Sequence, residues 1–156
     1  MKTIVKIFFI LLLIGTTGYS MEKKMGDRRV GYIYLPQGFM KFTDVTKIPS
    51  GDIQYSNGAT IFTLNIFQDK NHTLETAANS TAANFERMGI KDIQGATINF
   101  TKKYQCLQIY GKYNNSKNTI VSYVFKVNGN IHLLTFEGPT NMLKENLGIA
   151  ETYKRK

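Results

Sequence analysis

The sequence predicts an α+β domain built on an antiparallel β-sheet with layers on both faces. Strand-like segments fall into two groups separated by one amphipathic helix, and a second helical pattern closes the chain. The dipeptides Asn57-Gly58 and Asn128-Gly129 mark hairpins between neighbouring strands. The segment Thr119 to Val127 is apolar at both alternating sets of positions, which is typical of a central strand covered on both sides. The length of 156 residues fits one such domain.

The first 20 residues have the pattern of a signal peptide. Met1 to Lys6 is basic, Ile7 to Ile14 is continuously apolar, and Gly15 to Ser20 supplies small residues for cleavage after Ser20. A retained anchor helix is the alternative, but the apolar run is shorter than the ~20 residues of a membrane span. We therefore predict a signal peptide at 1–20, a flexible lead-in at 21–29 and one domain at 30–156. The cleaved chain is expected to be periplasmic or extracellular, with no transmembrane span.

The net charge of the chain limits the classes of binding partner that are expected. Removal of Lys2 and Lys6 with the signal peptide lowers the formal charge from +9 to +7, so the remaining chain is basic. An exported basic protein meets lipid headgroups, anionic polymers and acidic proteins, so no nucleic-acid partner is expected. The alternative is that the basic residues only solvate the surface.

Residue patterns predict the strands at the start of the domain and in its first hairpin. Val30 to Pro36 is the first predicted strand, and Lys41 to Asp44 is a second short one. In the next hairpin, a two-residue type I′ loop at Asn57-Gly58 would pair Ser56 with Ala59. Strand alternation then places one apolar set on one face, Ile53, Tyr55, Phe62, Leu64 and Ile66, and one polar set on the other, Gln54, Ser56, Thr63 and Asn65.

One amphipathic helix follows this hairpin. Its apolar stripe consists of Leu74, Ala77, Ala78, Thr81, Ala82, Phe85 and Met88. Thr73 or Asn71 is suited to the N-cap, and Gly89 is suited to the left-handed position that ends a helix.

The second half of the chain predicts a meander and a final helix. Ile90 to Gly95 is expected to be a connector, and Lys102-Lys103 a turn. The predicted strands are Ala96 to Thr101, Tyr104 to Tyr113, Thr119 to Val127 and Ile131 to Phe136; the last hairpin loop could have two or three residues. Thr140 is placed to cap a closing helix that contains Met142, Leu143, Leu147, Ala150 and Tyr153, with Gly148 expected to bend or break it.

This order of features resembles the PsbP-like superfamily, which includes an extrinsic photosystem II subunit, a Ran-binding Mog-type import factor and bacterial exported DcrB-type proteins. YIYLPQGF is similar to the family's opening strand and turn, QYSNGATIFTLNIF to its hairpin, and TLETAANSTAANF to its first long helix. Phe39 stands where the family usually has tryptophan. The resemblance implies an α-β-α sandwich around an antiparallel sheet, and a binding or assembly role rather than catalysis.

The sequence contains no catalytic motif. The histidines His72 and His132 are not part of a cluster at metal-ligand spacing, so neither a metal nor a cofactor is expected. A nucleophile–base pair would need Ser or Cys with His; Cys106 and His132 could approach each other across strands, but nothing in the local sequence indicates activation. Cys106, the only cysteine, excludes an internal disulfide and fits a small buried hydrophobe. We therefore predict that the protein is not an enzyme.

The candidate binding residues lie at the two ends of the meander. If the strands pair as expected, one end carries Lys102, Lys103 and Lys126, and the other carries Tyr110, Lys112, Tyr113 and Lys117. The alternative is a solvated sheet rim whose lysines prevent edge-to-edge aggregation.

The sequence thus favours an exported binding or assembly module that acts on an envelope protein or an anionic polymer. One alternative is a small-ligand carrier with a pocket between sheet and helix near Phe62, Leu64 and Phe85. Another is an inhibitor or immunity protein that neutralises an enzyme.

Overall fold

The computed structural model describes residues 23–42, 51–67, 71–114 and 117–155, so the predicted signal peptide lies outside the described residues. The strands are β1 (Lys23–Asp27), β2 (Gly31–Leu35), β3 (Met40–Lys41), β4 (Ile53–Ser56), β5 (Ile61–Ile66), β6 (Ile90–Phe100), β7 (Tyr104–Tyr113), β8 (Asn118–Val127) and β9 (Asn130–Pro139). The helices are α1 (Leu74–Arg87) and α2 (Leu143–Ala150), the latter preceded by a 3₁₀ turn over Thr140–Met142.

Seven of these strands form one antiparallel sheet in the order β3-β4-β5-β9-β8-β7-β6. Strand β9 joins the two halves of the sheet, because it pairs with β8 on one side and with β5, which is distant in the sequence, on the other. Strands β1 and β2 form a separate antiparallel hairpin.

Each face of the large sheet is covered by a different layer. Helix α1 packs on one face, where its buried alanines and Phe85 meet Ile109, Ile120 and Val124. The β1–β2 hairpin and α2 pack on the other face, around a larger core that includes Phe62, Phe125 and Phe136. Strand β8 contributes to both cores, as its two apolar faces predict. The predicted α-β-α sandwich is confirmed, with the hairpin sharing the layer of α2.

Helix α1 forms where the sequence predicts it, because its signals are local. The Thr73 hydroxyl accepts a hydrogen bond from the Thr76 amide at 3.1 Å, and the Thr76 hydroxyl accepts one from the Thr73 amide at 2.8 Å. This reciprocal pair is a capping box. At the other end Gly89 has φ of +77°, the left-handed conformation that favours glycine.

The first hairpin has the predicted faces but a different turn. Ser56 pairs with Ile61 rather than Ala59, which leaves the four-residue loop 57–60. The Asn57 side chain accepts hydrogen bonds from the amides of Ala59 and Thr60, at 3.0 and 2.8 Å. This side-chain turn replaces the type I′ turn. The register moves by two residues, so every side chain stays on its predicted face.

The prediction of a flexible lead-in at 21–29 is wrong for most of that segment. Residues 23–27 form β1, paired with β2 so that Met25 lies opposite Ile33. Met25 is buried in the core while Lys23 and Lys24 remain exposed. A polar edge strand with one buried residue gives almost no local signal, and its pairing partner supplies the stability.

The predicted connector Ile90 to Gly95 is also wrong, because it belongs to β6. The pairing of β6 with β7 is interrupted between Lys91 and Gln94, where Asp92 has φ of +53°. This β-bulge breaks the alternating pattern by which the sequence would otherwise have indicated a strand.

The end of the chain departs from the predicted closing helix. Thr140 makes no side-chain cap; its hydroxyl donates to the Lys117 carbonyl. Gly148 lies inside α2 without breaking it, and α2 ends at Ala150. Beyond it Lys154 pairs with Tyr32 through two backbone hydrogen bonds of 2.9 and 2.8 Å. The segment around Lys154 is therefore joined to the open edge of β2 by an isolated β-bridge.

Candidate binding surfaces

Cys106 and His132 do not form a nucleophile–base pair. Both are almost fully buried, and Phe125 lies between them, since it pairs with Cys106 on one side and with His132 on the other. Burial raises the pKa of the Cys106 thiol far above its ordinary value, so the thiol stays protonated. Cys106 therefore has the role of a small core residue.

His132 is a structural anchor for the chain terminus. Burial and the nearby Arg155 guanidinium lower the pKa of His132 to about 4, against an opposing hydrogen bond to the Val30 carbonyl. Tyr153 reaches the same carbonyl, with its hydroxyl donating at 3.1 Å. These contacts hold the turn between β1 and β2 and the C-terminal segment against β9.

The structure places the predicted lysines and tyrosines at two ends of the meander. Lys102 and Lys103 lie in the β6–β7 turn at the same end as Lys126, and Lys112 pairs with Thr119 at the opposite end, near Lys117. All five lysines are exposed. Their grouping follows from the register, and their role as a binding site stays a prediction.

The two tyrosines of that set lie on opposite faces of the sheet. Tyr110 packs against the core beneath the β1–β2 hairpin, and Tyr113 packs against the core beneath α1. The Tyr113 hydroxyl donates to the Glu137 carboxylate. Because half-buried packing and this hydrogen bond occupy them, the tyrosines do not join the lysines in one continuous surface.

A different aromatic and basic surface is formed by the outer side of the β1–β2 hairpin, which we call the outer hairpin face: Lys24, Tyr32, Tyr34 and Lys154. The tyrosines alternate along β2 with three buried residues, Gly31, Ile33 and Leu35, and the side chains of Ile33 and Leu35 belong to the core. The Lys24 Nζ lies 3.8 Å from the centre of the Tyr32 ring, and the Lys154 Nζ lies 5.3 Å from the centre of the Tyr34 ring. Each ammonium thus stays close to an aromatic face.

The charge around the outer hairpin face is strongly unbalanced. The segments Lys23–Leu35 and Lys154–Arg155 contain six basic residues and one acidic residue, Asp27. The Asp27 carboxylate accepts hydrogen bonds from the amides of Arg29 and Val30, at 2.8 and 3.0 Å. It also makes a long ion pair of 3.9 Å with the half-exposed Arg29, so it neutralises little of the surrounding positive charge.

A second surface, which is concave and which we call the polar groove, lies beside α1 on the opposite face of the sheet. It has a volume of about 650 Å³ and runs between the helix and the part of the sheet formed by β4, β5, β9 and β8. Its floor includes Gln54, Thr63, Ser122 and Thr135, and its helical wall includes Asn84 and Arg87. Helix α1 covers mainly β6, β7 and β8, which leaves this part of the face open.

The pocket that the sequence predicts near Phe62, Leu64 and Phe85 is only partly placed correctly. Phe62 and Leu64 are fully buried in the core on the other face, and Phe62 packs on Phe39 and Phe136. Phe85 does line the groove. Side-chain alternation along β5 places Thr63 and Asn65 on the groove side. This alternation is the sequence feature from which the polar floor of the groove could be predicted.

Asp52 lies at the rim of the polar groove with an unusual environment. Its Oδ1 is buried and has no hydrogen-bond partner within the described residues. Burial raises the pKa of this carboxyl, and the positive charge of Arg29 opposes the shift.

Neither surface offers a metal site in the part of the chain that the structure describes, since it holds no group of three or more His, Cys, Asp or Glu side chains placed to ligate an ion. None of the helices within the described ranges is both long and apolar enough to cross a membrane.

Comparison with known proteins identifies the fold. No protein family model matches the chain, and no curated protein sequence matches it. Among solved structures, the chain is similar to cyanobacterial PsbP (CyanoP) from Synechocystis sp. PCC 6803, with a TM-score of 0.59 and 10% sequence identity. The match covers 91% of this chain and 96% of that one. The fold is therefore PsbP-like, as the order of sequence features predicts.

Proposed function

We propose that this protein is an exported, non-enzymatic binding module that holds an anionic polymer of the cell envelope on its outer hairpin face. The observation that carries the proposal is the pairing of Lys24 with Tyr32 and of Lys154 with Tyr34 on one surface. Phosphate or carboxylate groups of a polymer would neutralise the lysines, and the tyrosine rings would supply apolar contact beside them.

The construction of this surface also supports a binding role. The outer hairpin face is made by two segments from opposite ends of the chain, joined by the backbone pairing of Tyr32 with Lys154. A hydrogen bond of 2.9 Å from the Tyr34 amide to the Thr152 hydroxyl adds to this junction. The lysines are therefore presented on a paired β-structure rather than on a free terminus, which reduces the entropy lost on binding.

Export is supported by the sequence pattern at residues 1–20. The burial of Cys106 and His132 removes the nucleophile–base pair that the sequence offered. An anionic partner is supported by the six basic residues in the hairpin and in the segment Lys154–Arg155. The PsbP-like fold is compatible with this role and does not by itself define it.

The test compares two double variants in binding to a long-chain polyphosphate probe at low salt. K24Q/K154Q removes both lysines of the outer hairpin face, and K112Q/K117Q removes the same charge from the end of the meander. We expect K24Q/K154Q to weaken binding about tenfold and K112Q/K117Q to weaken it by no more than about twofold. Equal weakening by both variants, or no binding by the unaltered protein, would contradict the proposal. Circular dichroism of each variant controls for folding.

A further inference from the structure

The floor of the polar groove carries a row of hydrogen-bonding side chains across four adjacent strands. Gln54 on β4 pairs in register with Thr63 on β5, which pairs with Thr135 on β9, which pairs with Ser122 on β8. Adjacent strands are about 4.8 Å apart, so the half-buried Gln54, Thr63 and Thr135 present polar groups at regular intervals, while Ser122 is fully buried beneath them. At its inner end the Ser122 and Thr135 hydroxyls are 2.6 Å apart and bond to each other.

The outer part of the row has unused hydrogen-bonding capacity. Across the described ranges, no protein group bonds to the side chains of Gln54 and Thr63, and both are only half-buried. On the helical wall Asn84 makes one weak contact, 3.7 Å to the Met88 sulfur, and Arg87 has no ion pair with another described residue.

The apolar part of the groove lies between these polar groups. Half-buried Leu133 and the 48% exposed Met88 contribute carbon surface beside the row, whereas Phe85 lines the groove but is only 3% exposed. A ligand in the groove therefore meets hydroxyl and amide groups on one side and hydrocarbon on the other.

The charge, polarity and position of the groove disfavour three other ligand classes. Two carboxyl groups, Asp52 and Glu137, face one guanidinium, Arg87, which disfavours an anion. A purely aliphatic ligand would leave the polar row without partners, at a cost of about 1–3 kcal/mol for each buried group. An extended peptide binds by backbone pairing at a sheet edge, whereas the groove lies on a sheet face.

We infer that the polar groove is a binding site for an uncharged saccharide. A sugar ring combines several hydroxyl groups with apolar C–H faces, which matches the row beside Leu133 and Met88. Gln54 and Asn84 offer both donors and acceptors, and Thr63 and Thr135 offer hydroxyls that can do either. This site lies on the other side of the sheet from the outer hairpin face, so it goes beyond the proposed function and can fail or hold independently of it.

The test is calorimetric titration of the full chain with neutral tetrasaccharides of glucose, mannose and N-acetylglucosamine. We expect at least one to bind with a dissociation constant of about 1 mM or tighter. The variant T63V/T135V removes two hydroxyls while keeping side-chain shape and should weaken that binding about tenfold. T97V is the matched control, because Thr97 is an exposed threonine of β6 outside the groove.

The results that support the saccharide site differ from those that overturn it. Loss of affinity in T63V/T135V, with T97V and K24Q/K154Q binding as the unaltered chain does, supports the saccharide site. The inference is overturned if none of the tetrasaccharides binds at about 10 mM. It is equally overturned if T63V/T135V binds as tightly as T97V.

Discussion

Arg155 donates a hydrogen bond from Nη1 to Nε2 of His132, with the two nitrogens 2.6 Å apart. Because a guanidinium cannot accept, Nε2 must be the unprotonated nitrogen, and Nδ1 carries the hydrogen that points toward the Val30 carbonyl at 3.3 Å. Arg155 also donates to the Arg29 carbonyl at 3.0 Å. A neutral histidine therefore joins the C-terminal segment to the turn between β1 and β2, and the outer hairpin face depends on that junction.

This arrangement predicts that the fold loses stability on acidification. The pKa of His132 is lowered from 6.5 to about 4, so between these values the unfolded chain binds a proton that the folded chain does not. The contribution is fully present above about pH 6.5 and is lost as the pH falls to about 4. We expect this histidine to account for a fall of about 3 kcal/mol in the free energy of unfolding, measured by urea titration.

The variant H132Q isolates this effect from the titration of carboxyl groups. It should be less stable at neutral pH and should show a smaller fall between about pH 7 and pH 4 than the unaltered chain. H72Q, which changes the other histidine, should keep the full fall. If H132Q and the unaltered chain lose the same free energy over this range, His132 is not the cause.

Two glycines with similar backbone angles should respond very differently to substitution by alanine. Gly31 and Gly38 have φ of +88° and +95°, so a side chain strains either one. A Cβ at Gly31 would overlap the Tyr153 ring, 2.6 Å from its Cε2, whereas nothing lies within 4 Å of a Cβ at Gly38. We expect G38A to cost about 1 kcal/mol and G31A about 3 kcal/mol or more, by urea denaturation. Equal losses would show that the C-terminal segment does not pack on β2 as described.

The Cys106 thiol should be inert in the folded protein. It is fully buried, so a reagent cannot reach it, and burial raises its pKa, so the reactive thiolate does not form. Treatment with a thiol-reactive chromogenic disulfide should give no signal in native buffer and full labelling in denaturant. Rapid labelling of the native chain would mean that the sheet around Cys106 opens and would revive a reactive role for it.

The parts of the fold that the sequence predicts correctly are those with local causes. Thr73 and Gly89 bound α1 by capping, and Asn128 and Gly129 form the two-residue hairpin turn with φ of +49° and +83°. Asn57 failed to form the same turn because its side chain bonds to two following amides instead. Local chemistry at one asparagine thus decides between turns that the dipeptide alone does not distinguish.

The candidate surfaces could not be predicted, because they are assembled from distant segments. Lys154 lies beside β2 only through backbone pairing with Tyr32, and the sequence pattern had placed the preceding Tyr153 in a helix. The row from Gln54 to Ser122 requires β9 to lie between β5 and β8, which no local signal shows. Strand alternation predicted only that the Thr63 side chain points away from the main core.

The central claim, that the outer hairpin face receives an anionic polymer, is tested most directly by amide chemical-shift mapping. The ¹⁵N-labelled full chain would be titrated with polyphosphate, and shifts would be recorded at every assigned amide. We predict that the largest shifts occur at Lys24, Tyr32, Tyr34 and Lys154, with little change at Lys112 and Lys117. Shifts concentrated at Lys102 and Lys103 or at Lys112 and Lys117, with the hairpin unaffected, would contradict the account.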